Sequence, residues 1–109
     1  MMDEQEFRRH ADDTLSKLNR ALSDAGDDYG FEVDMNAGAL TIEFDDPPGK
    51  FVVSPNTPVR QIWVSALSRS FKLDWDELEA TFVHVDSGDR LKALLAKAIS
   101  KHMGQEVEL

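Results

Sequence analysis

Hydrophobic positions change their period twice along the chain. From Asp3 to Ala25 the apolar residues Phe7, Ala11, Leu15, Leu18, Leu22 and Ala25 recur at steps of four and three, one face of an amphipathic helix. Gly26 stands where a helix stop is expected. A second stripe, Leu91, Leu94, Leu95, Ala98, Ile99 and His102 or Met103, predicts a C-terminal helix that Asp86 or Ser87 can cap and Gly104 can end. Between the helices the period is two. Phe31, Val33 and Met35 alternate with Glu32, Asp34 and Asn36, and Leu40, Ile42 and Phe44 alternate with Thr41, Glu43 and Asp45. Further strands are predicted at KFVVS (Lys50 to Ser54), VRQIWVSAL (Val59 to Leu67), FKLDW (Phe71 to Trp75) and ATFVHV (Ala80 to Val85).

The connections NAG, DPPG, PNTP, SRS and DELE are too short for a parallel crossover, so the strands should form an antiparallel meander. Helices at either end of a meander bury their stripes by packing side by side on one sheet face. The expected fold class is α+β: a two-layer sandwich of order α-β-β-β-β-β-β-α, with an antiparallel sheet of about six strands. Its other sheet face meets solvent. At 109 residues the chain has the size of one domain, and residues 1–109 read as a single unit.

Charge adds a direction to this shape. The net charge is −9, and residues 1–46 hold 13 Asp plus Glu against 4 Lys plus Arg, while residues 47–109 hold 8 of each. The whole imbalance sits in the first part of the chain and creates a directional field. An acidic surface excludes nucleic acid as partner and favours cations or basic proteins. There is no cysteine, which excludes disulfides and thiolate ligation by this chain. MMDEQEFRRH lacks an apolar signal region and no apolar run approaches membrane-spanning length, so a cytoplasmic protein without a membrane partner is expected.

Catalytic chemistry finds little support. His10, His84 and His102 lie in unrelated elements, and no GxSxG, HExxH or glycine-rich phosphate loop surrounds them. The densest chemical feature is SDAGDDYGFEVD, Ser23 to Asp34. It fails as an EF-hand starting at Asp24, because Gly26, Tyr29 and Met35 occupy the third, sixth and twelfth positions. If the helix ends near Gly26, Asp24, Asp27 and Asp28 crowd its C-terminal turn, and Glu32 and Asp34 project from one face of the next strand. Acids at a helix C-terminus oppose its dipole, a cost that cation binding would offset. The same run also reads as a solvated turn with a polar strand face. Asp13 with Lys17 and Arg20 with Asp24 are spaced as i,i+4 ion pairs, which lowers the free carboxylate on the helix.

The strand VRQIWVSAL presents Arg60, Ile62, Val64 and Ala66 on one face and Gln61, Trp63 and Ser65 on the other. Periodicity leaves open which face is core; an exposed Trp63 would be an interface anchor. Trp75 shares a face with Phe71 and Leu73 and is expected in the core.

PxxQIWxS (Pro58, Gln61, Ile62, Trp63, Ser65), the FxLDW ending at Trp75 and DSGDRLKALL opening the last helix resemble the frataxin family, in particular its bacterial CyaY-type members. The resemblance covers essentially the whole chain. It implies a helix–sheet–helix fold with both helices on one face, and a non-enzymatic role in iron–sulfur cluster assembly. It further implies weak surface binding of ferrous or ferric iron with no buried cofactor, and association with the cysteine desulfurase and the scaffold protein as iron donor or regulator. Other hard cations should compete, and without iron a monomer is expected. A metal-independent acidic interaction module is the alternative, and a ferroxidase a more distant one. Carried over residue by residue, the acidic ridge falls on Asp12, Asp24, Asp28, Glu32 and Asp34, with Asp13 and Asp27 as neighbours of matching chemistry. The partner-facing sheet surface falls on Asn56, Gln61 and Trp63, which implies an exposed Trp63. The chain departs from the family where consecutive acids are common in helix one, having Asn19, Arg20 and Ser23, and has Ser54 in place of an Asn before the QIW strand. The helix half of the ridge is thinned accordingly.

Overall fold

A computed structural model describes residues 2–109. The order is α1 (Glu4–Tyr29), β1 (Phe31–Asn36), β2 (Ala39–Asp45), β3 (Pro48–Asn56), a 3-10 turn (Thr57–Val59), β4 (Gln61–Ala66), β5 (Arg69–Asp76), β6 (Thr81–His84) and α2 (Leu91–Met103). The six strands form one sheet in the order β1-β2-β3-β4-β5-β6, with every neighbouring pair antiparallel.

Asp3 starts α1 by accepting the Glu6 N–H at 2.8 Å. The helix does not stop at Gly26 as expected; it runs one turn further to Tyr29 and ends at Gly30. Gly30 has φ +88°, and its N–H donates to the Gly26 carbonyl at 2.8 Å. Gly26 serves a different purpose, since a Cβ there would lie 2.4 Å from the Phe31 carbonyl oxygen. It lets the chain fold straight back from α1 into β1.

Other boundaries shift for equally local reasons. β3 absorbs parts of the DPPG and PNTP connections and spans Pro48–Asn56. β4 is shorter than VRQIWVSAL because Arg60 and Leu67, at φ +58° and +61°, turn the chain at either end. β5 begins earlier than expected, at Arg69, and β6 ends at His84. Neither Asp86 nor Ser87 caps α2; Arg90 precedes it without a side-chain cap. Ser87 Oγ instead accepts the Asp89 N–H at 3.2 Å and pairs with His84 Nδ1 at 2.8 Å. Gly104 ends α2 as the sequence predicts, at φ +69°.

The core lies between the helices and one sheet face. Phe7, Leu15 and Leu22 of α1 and Leu91, Leu95 and Ile99 of α2 meet strand residues such as Ile42, Phe51, Ile62, Leu73 and Phe82. Burying each such side chain stabilises the fold by about 1.5–3 kcal/mol. Trp75 is less enclosed than its pattern suggests: it is half-buried, edge-on to Phe82 and stacked on His10 at 3.9 Å. Past α2, Val107 returns to the core and donates its N–H to Ser100 Oγ at 2.8 Å.

Candidate functional site

Alternation along the strands sends every second side chain to the helix-free face. The register there aligns Glu32 with Glu43 and Glu43 with Lys50, Ser54 with Trp63 and Trp63 with Lys72, and Asn56 with Gln61 and Gln61 with Asp74. The face is acidic at the β1–β2 edge and becomes polar and aromatic towards β4 and β5.

At the acidic edge the last turn of α1 holds no base. The extra helical turn places Asp27 and Asp28 on the helix, with Asp24 one turn before them. An open groove of about 520 Å³ between the helix end and the first two strands is lined by Ser23, Asp27, Glu32, Asp34, Thr41 and Glu43. Asp24, Asp27, Asp28, Glu32 and Asp34 are all exposed. Among the described residues none of these five, nor Glu43, has a base within ion-pair distance. Glu43 was not anticipated as a ridge residue. Its signal was the short NAG loop, which forms a two-residue turn at Ala37 and Gly38 and sets Glu32 directly opposite it.

The upstream acids stand apart. Asp12 is exposed on α1, about 18 Å along the helix axis from Asp24 at 1.5 Å per residue. Asp13 pairs with Lys17 at 3.0 Å, as its spacing predicts. The corresponding Arg20–Asp24 pair does not form; its base stands N-terminal to its acid, the less favourable order for an i,i+4 pair, the reverse of Asp13 and Lys17. Asp24 is therefore freer than expected. Among the described residues no group of three or more His, Asp or Glu converges closely enough to hold a metal ion. The donor set suits a hard cation through scattered carboxylate oxygens and retained water, and supplies no preformed cage.

Trp63 lies on the helix-free face, 37% exposed. Its Nε1–H donates to Gln61 Oε1 at 2.9 Å, and Gln61 Nε2 donates to Asp74 Oδ1 at 3.0 Å. The Lys72 ammonium lies 5.0 Å from the centre of the indole. Asn56 is half-buried and cross-strand from Gln61. The three residues expected on a partner surface thus share one face, and the indole is held in place by its neighbours. Lys72 and Asp74 were not singled out from the sequence, although both lie on the polar side of the FKLDW alternation.

Fold and surface together define a class: a two-layer α+β domain whose candidate chemistry lies wholly on its exterior, in a carboxylate edge and an aromatic-polar sheet face. The pattern describing the Frataxin-like domain family matches residues 1–105. A relative from Pseudomonas aeruginosa, named iron–sulfur cluster assembly protein CyaY, is 34% identical over 98 residues, spanning 88% of this chain and 90% of the relative. A CyaY of the same name from Azotobacter vinelandii is 31% identical over 96 residues, spanning 86% of each chain. The solved frataxin of Psychromonas ingrahamii superposes with a TM-score of 0.84 at 25% identity, over 98% of this chain and 97% of that one. The trimeric frataxin of Saccharomyces cerevisiae superposes with a TM-score of 0.68 at 27% identity, over 88% and 80%. The chain belongs to the frataxin family, whose CyaY members are named for assembly and not for a catalysed reaction. No described helix is long and apolar enough to cross a membrane.

Proposed function

We propose that this protein serves iron–sulfur cluster assembly in the cytoplasm, as an iron donor to, or regulator of, the complex of cysteine desulfurase and scaffold. The observation that carries this is the groove lined by Asp27, Glu32, Asp34 and Glu43, none of which is in an ion pair among the described residues. Iron is cargo here, drawn by the field and held through a few carboxylate oxygens per ion with water in the remaining positions. Asp24 and Asp28, exposed on the last turns of α1, add charge, while Asp12 and Asp13 contribute field from further along the helix. Such sites bind weakly and discriminate poorly among hard cations. The same charge steers the domain onto a basic surface of the desulfurase, and Trp63, with Gln61 and Asn56, anchors the sheet face on the complex. Without iron the domain acts as a monomer.

A second reading, an acidic interaction module for which metal is incidental, is favoured by the absence of a converging ligand set among the described residues. Cluster formation measured with purified desulfurase and scaffold tests both. This protein should change the rate; the combined variant Asp27→Asn, Glu32→Gln, Asp34→Asn, Glu43→Gln should abolish that change while remaining folded. Desulfurase binding undiminished by chelator, yet lost in the amide variant, would select the second reading. Trp63→Ala should weaken association by about 2 kcal/mol or more, the scale of an interface hot spot. Unchanged association would remove the anchor role. Iron oxidation by oxygen should proceed equally with the protein and its amide variant, as expected without a ferroxidase centre.

A further inference from the structure

The strand register leaves part of one sheet edge unfilled. β5 runs from Arg69 to Asp76, and β4 pairs with it from Gln61↔Asp74 to Ala66↔Arg69. β6 pairs with β5 only from Leu73↔His84 to Asp76↔Thr81. Beyond His84 the chain turns away: the His84 N–H donates to the Asp89 carbonyl at 2.8 Å and the His84 carbonyl accepts the Gly88 N–H at 2.7 Å. Both backbone groups of His84 therefore point away from β5. Backbone groups alternate sides along an antiparallel strand. Asp74 bonds towards Val83, Leu73 towards β4, and the backbone groups of Lys72 and Ser70 face the side that β6 has vacated.

We infer that this open β5 edge, Arg69–Lys72, docks an extended acidic segment of another protein, which adds to the sheet as a short strand. Three features specify such an occupant. A groove of about 300 Å³ lies on the helix-free side of the edge, between Ser70, Lys72 and the diverging Val85 and Asp86. A second groove of about 380 Å³ lies on the helix side, lined by Leu67, Phe71, Ala98 and Lys101. Alternate side chains of an added strand would enter the two grooves in turn. Apolar surface is already displayed there, with Leu67 55% and Val85 67% exposed. The charge is basic: Arg69, Lys72 and Lys101 carry no ion pair among the described residues, and Asp86 is the single acid lining either groove. Carboxylates of an incoming segment find bases that have no carboxylate partner among the described residues, Arg69 and Lys72 lying instead over the Phe71 and Trp63 rings. This surface is separate from the acidic ridge and stands whether or not the ridge takes iron.

The test uses the whole protein and short synthetic peptides of alternating Glu and Val, with amide hydrogen exchange read by NMR. The acidic peptide should slow exchange at Ser70 and Lys72, whose N–H groups become bonded, and leave Phe71, already bonded to β4, unchanged. A peptide alternating Lys and Val, and the acidic peptide with N-methylated backbone, should bind at least about tenfold more weakly, the first by charge and the second by loss of backbone pairing. Ser70→Pro should fold and lose binding, because a proline is tolerated where the strand N–H faces outward. No binding, binding without protection at Ser70 and Lys72, or equal binding of the N-methylated peptide would overturn the inference. So would concentration-dependent protection of the same amides without peptide, which would assign the edge to a second copy of this chain.

Discussion

Gly26 shows how one residue sets the geometry of the acidic end. Its missing side chain admits the Phe31 backbone, so α1 and β1 fold tightly together and their acids face a common groove. Gly26→Ala places a methyl 2.4 Å from a carbonyl oxygen that belongs to the backbone. The expected cost is about 1–3 kcal/mol, from overpacking that backbone movement only partly relieves. Urea denaturation should show it as a lowered midpoint with little change in slope; an unchanged midpoint would contradict the packing described. Asp89 offers a second residue-scale test. The hydrogen bond from Lys97 Nζ, 3.0 Å away, holds its carboxyl below the ordinary value of 3.8, with the charges of Lys97 and His84 acting in the same direction. Since the folded value is the lower one, the contribution is full above the unfolded pKa of about 3.9 and is lost as pH falls through the folded value. A carboxyl-carbon NMR titration should give a midpoint below 3.8 for Asp89, and Lys97→Gln should bring it back towards that number. At this scale the sequence was readable for Asp27, Glu32 and Asp34, whose neighbours are local. It was less so for Glu43, which joins them through cross-strand pairing.

The β1–β2 hairpin concentrates an unfavourable arrangement in one element pair. Glu32 stands opposite Glu43 on an exposed face, and like charges so placed destabilise a sheet. Glu32→Gln, which removes this repulsion and leaves Glu43 opposite Lys50, should therefore stabilise the fold by about 0.2–1 kcal/mol at low ionic strength. The gain should shrink in high salt, where the repulsion is screened. A variant less stable than the parent at low salt would show that Glu32 makes a favourable contact instead. Helix stripes and the existence of strand alternation were legible, because the 3.6 and 2.0 periods are direct consequences of burial, whereas the buried face of β4 was not, since both of its faces carry apolar residues. Boundaries were not legible either. Arg60 and Leu67 end β4 in the left-handed region, where a glycine would have been the signal, and neither residue type announces the turn. The α1 stop was misplaced because two glycines lie four residues apart, one used for packing and the other for conformation.

Across the whole molecule the charge imbalance counted along the chain becomes a spatial one. Among the described residues the acids at the α1–β1 end and the bases of the β5 edge are without ion pairs. Clustered like charge lowers stability in a way that salt screens and bound cations relieve. Melting temperature should rise with sodium chloride, rise further with divalent cations at equal ionic strength, and lose the second increment in the ridge amide variant. The antiparallel meander with helices on one face was legible from connection length and periodicity, since short loops leave no other topology. Return of Val107 to the core after Gly104, and the grooves, depend on contacts distant in sequence and carried no periodic signal.

We propose that the groove lined by Asp27, Glu32, Asp34 and Glu43 takes iron. The decisive measurement is an anaerobic titration of isotopically labelled protein with ferrous ion, followed by amide NMR. Signals of Asp27, Asp28, Glu32, Asp34 and Glu43 should broaden first, with those of Asn56, Gln61 and Trp63 unaffected at the same iron level. Broadening spread evenly over the surface, or beginning at the upstream acids of α1, would contradict it.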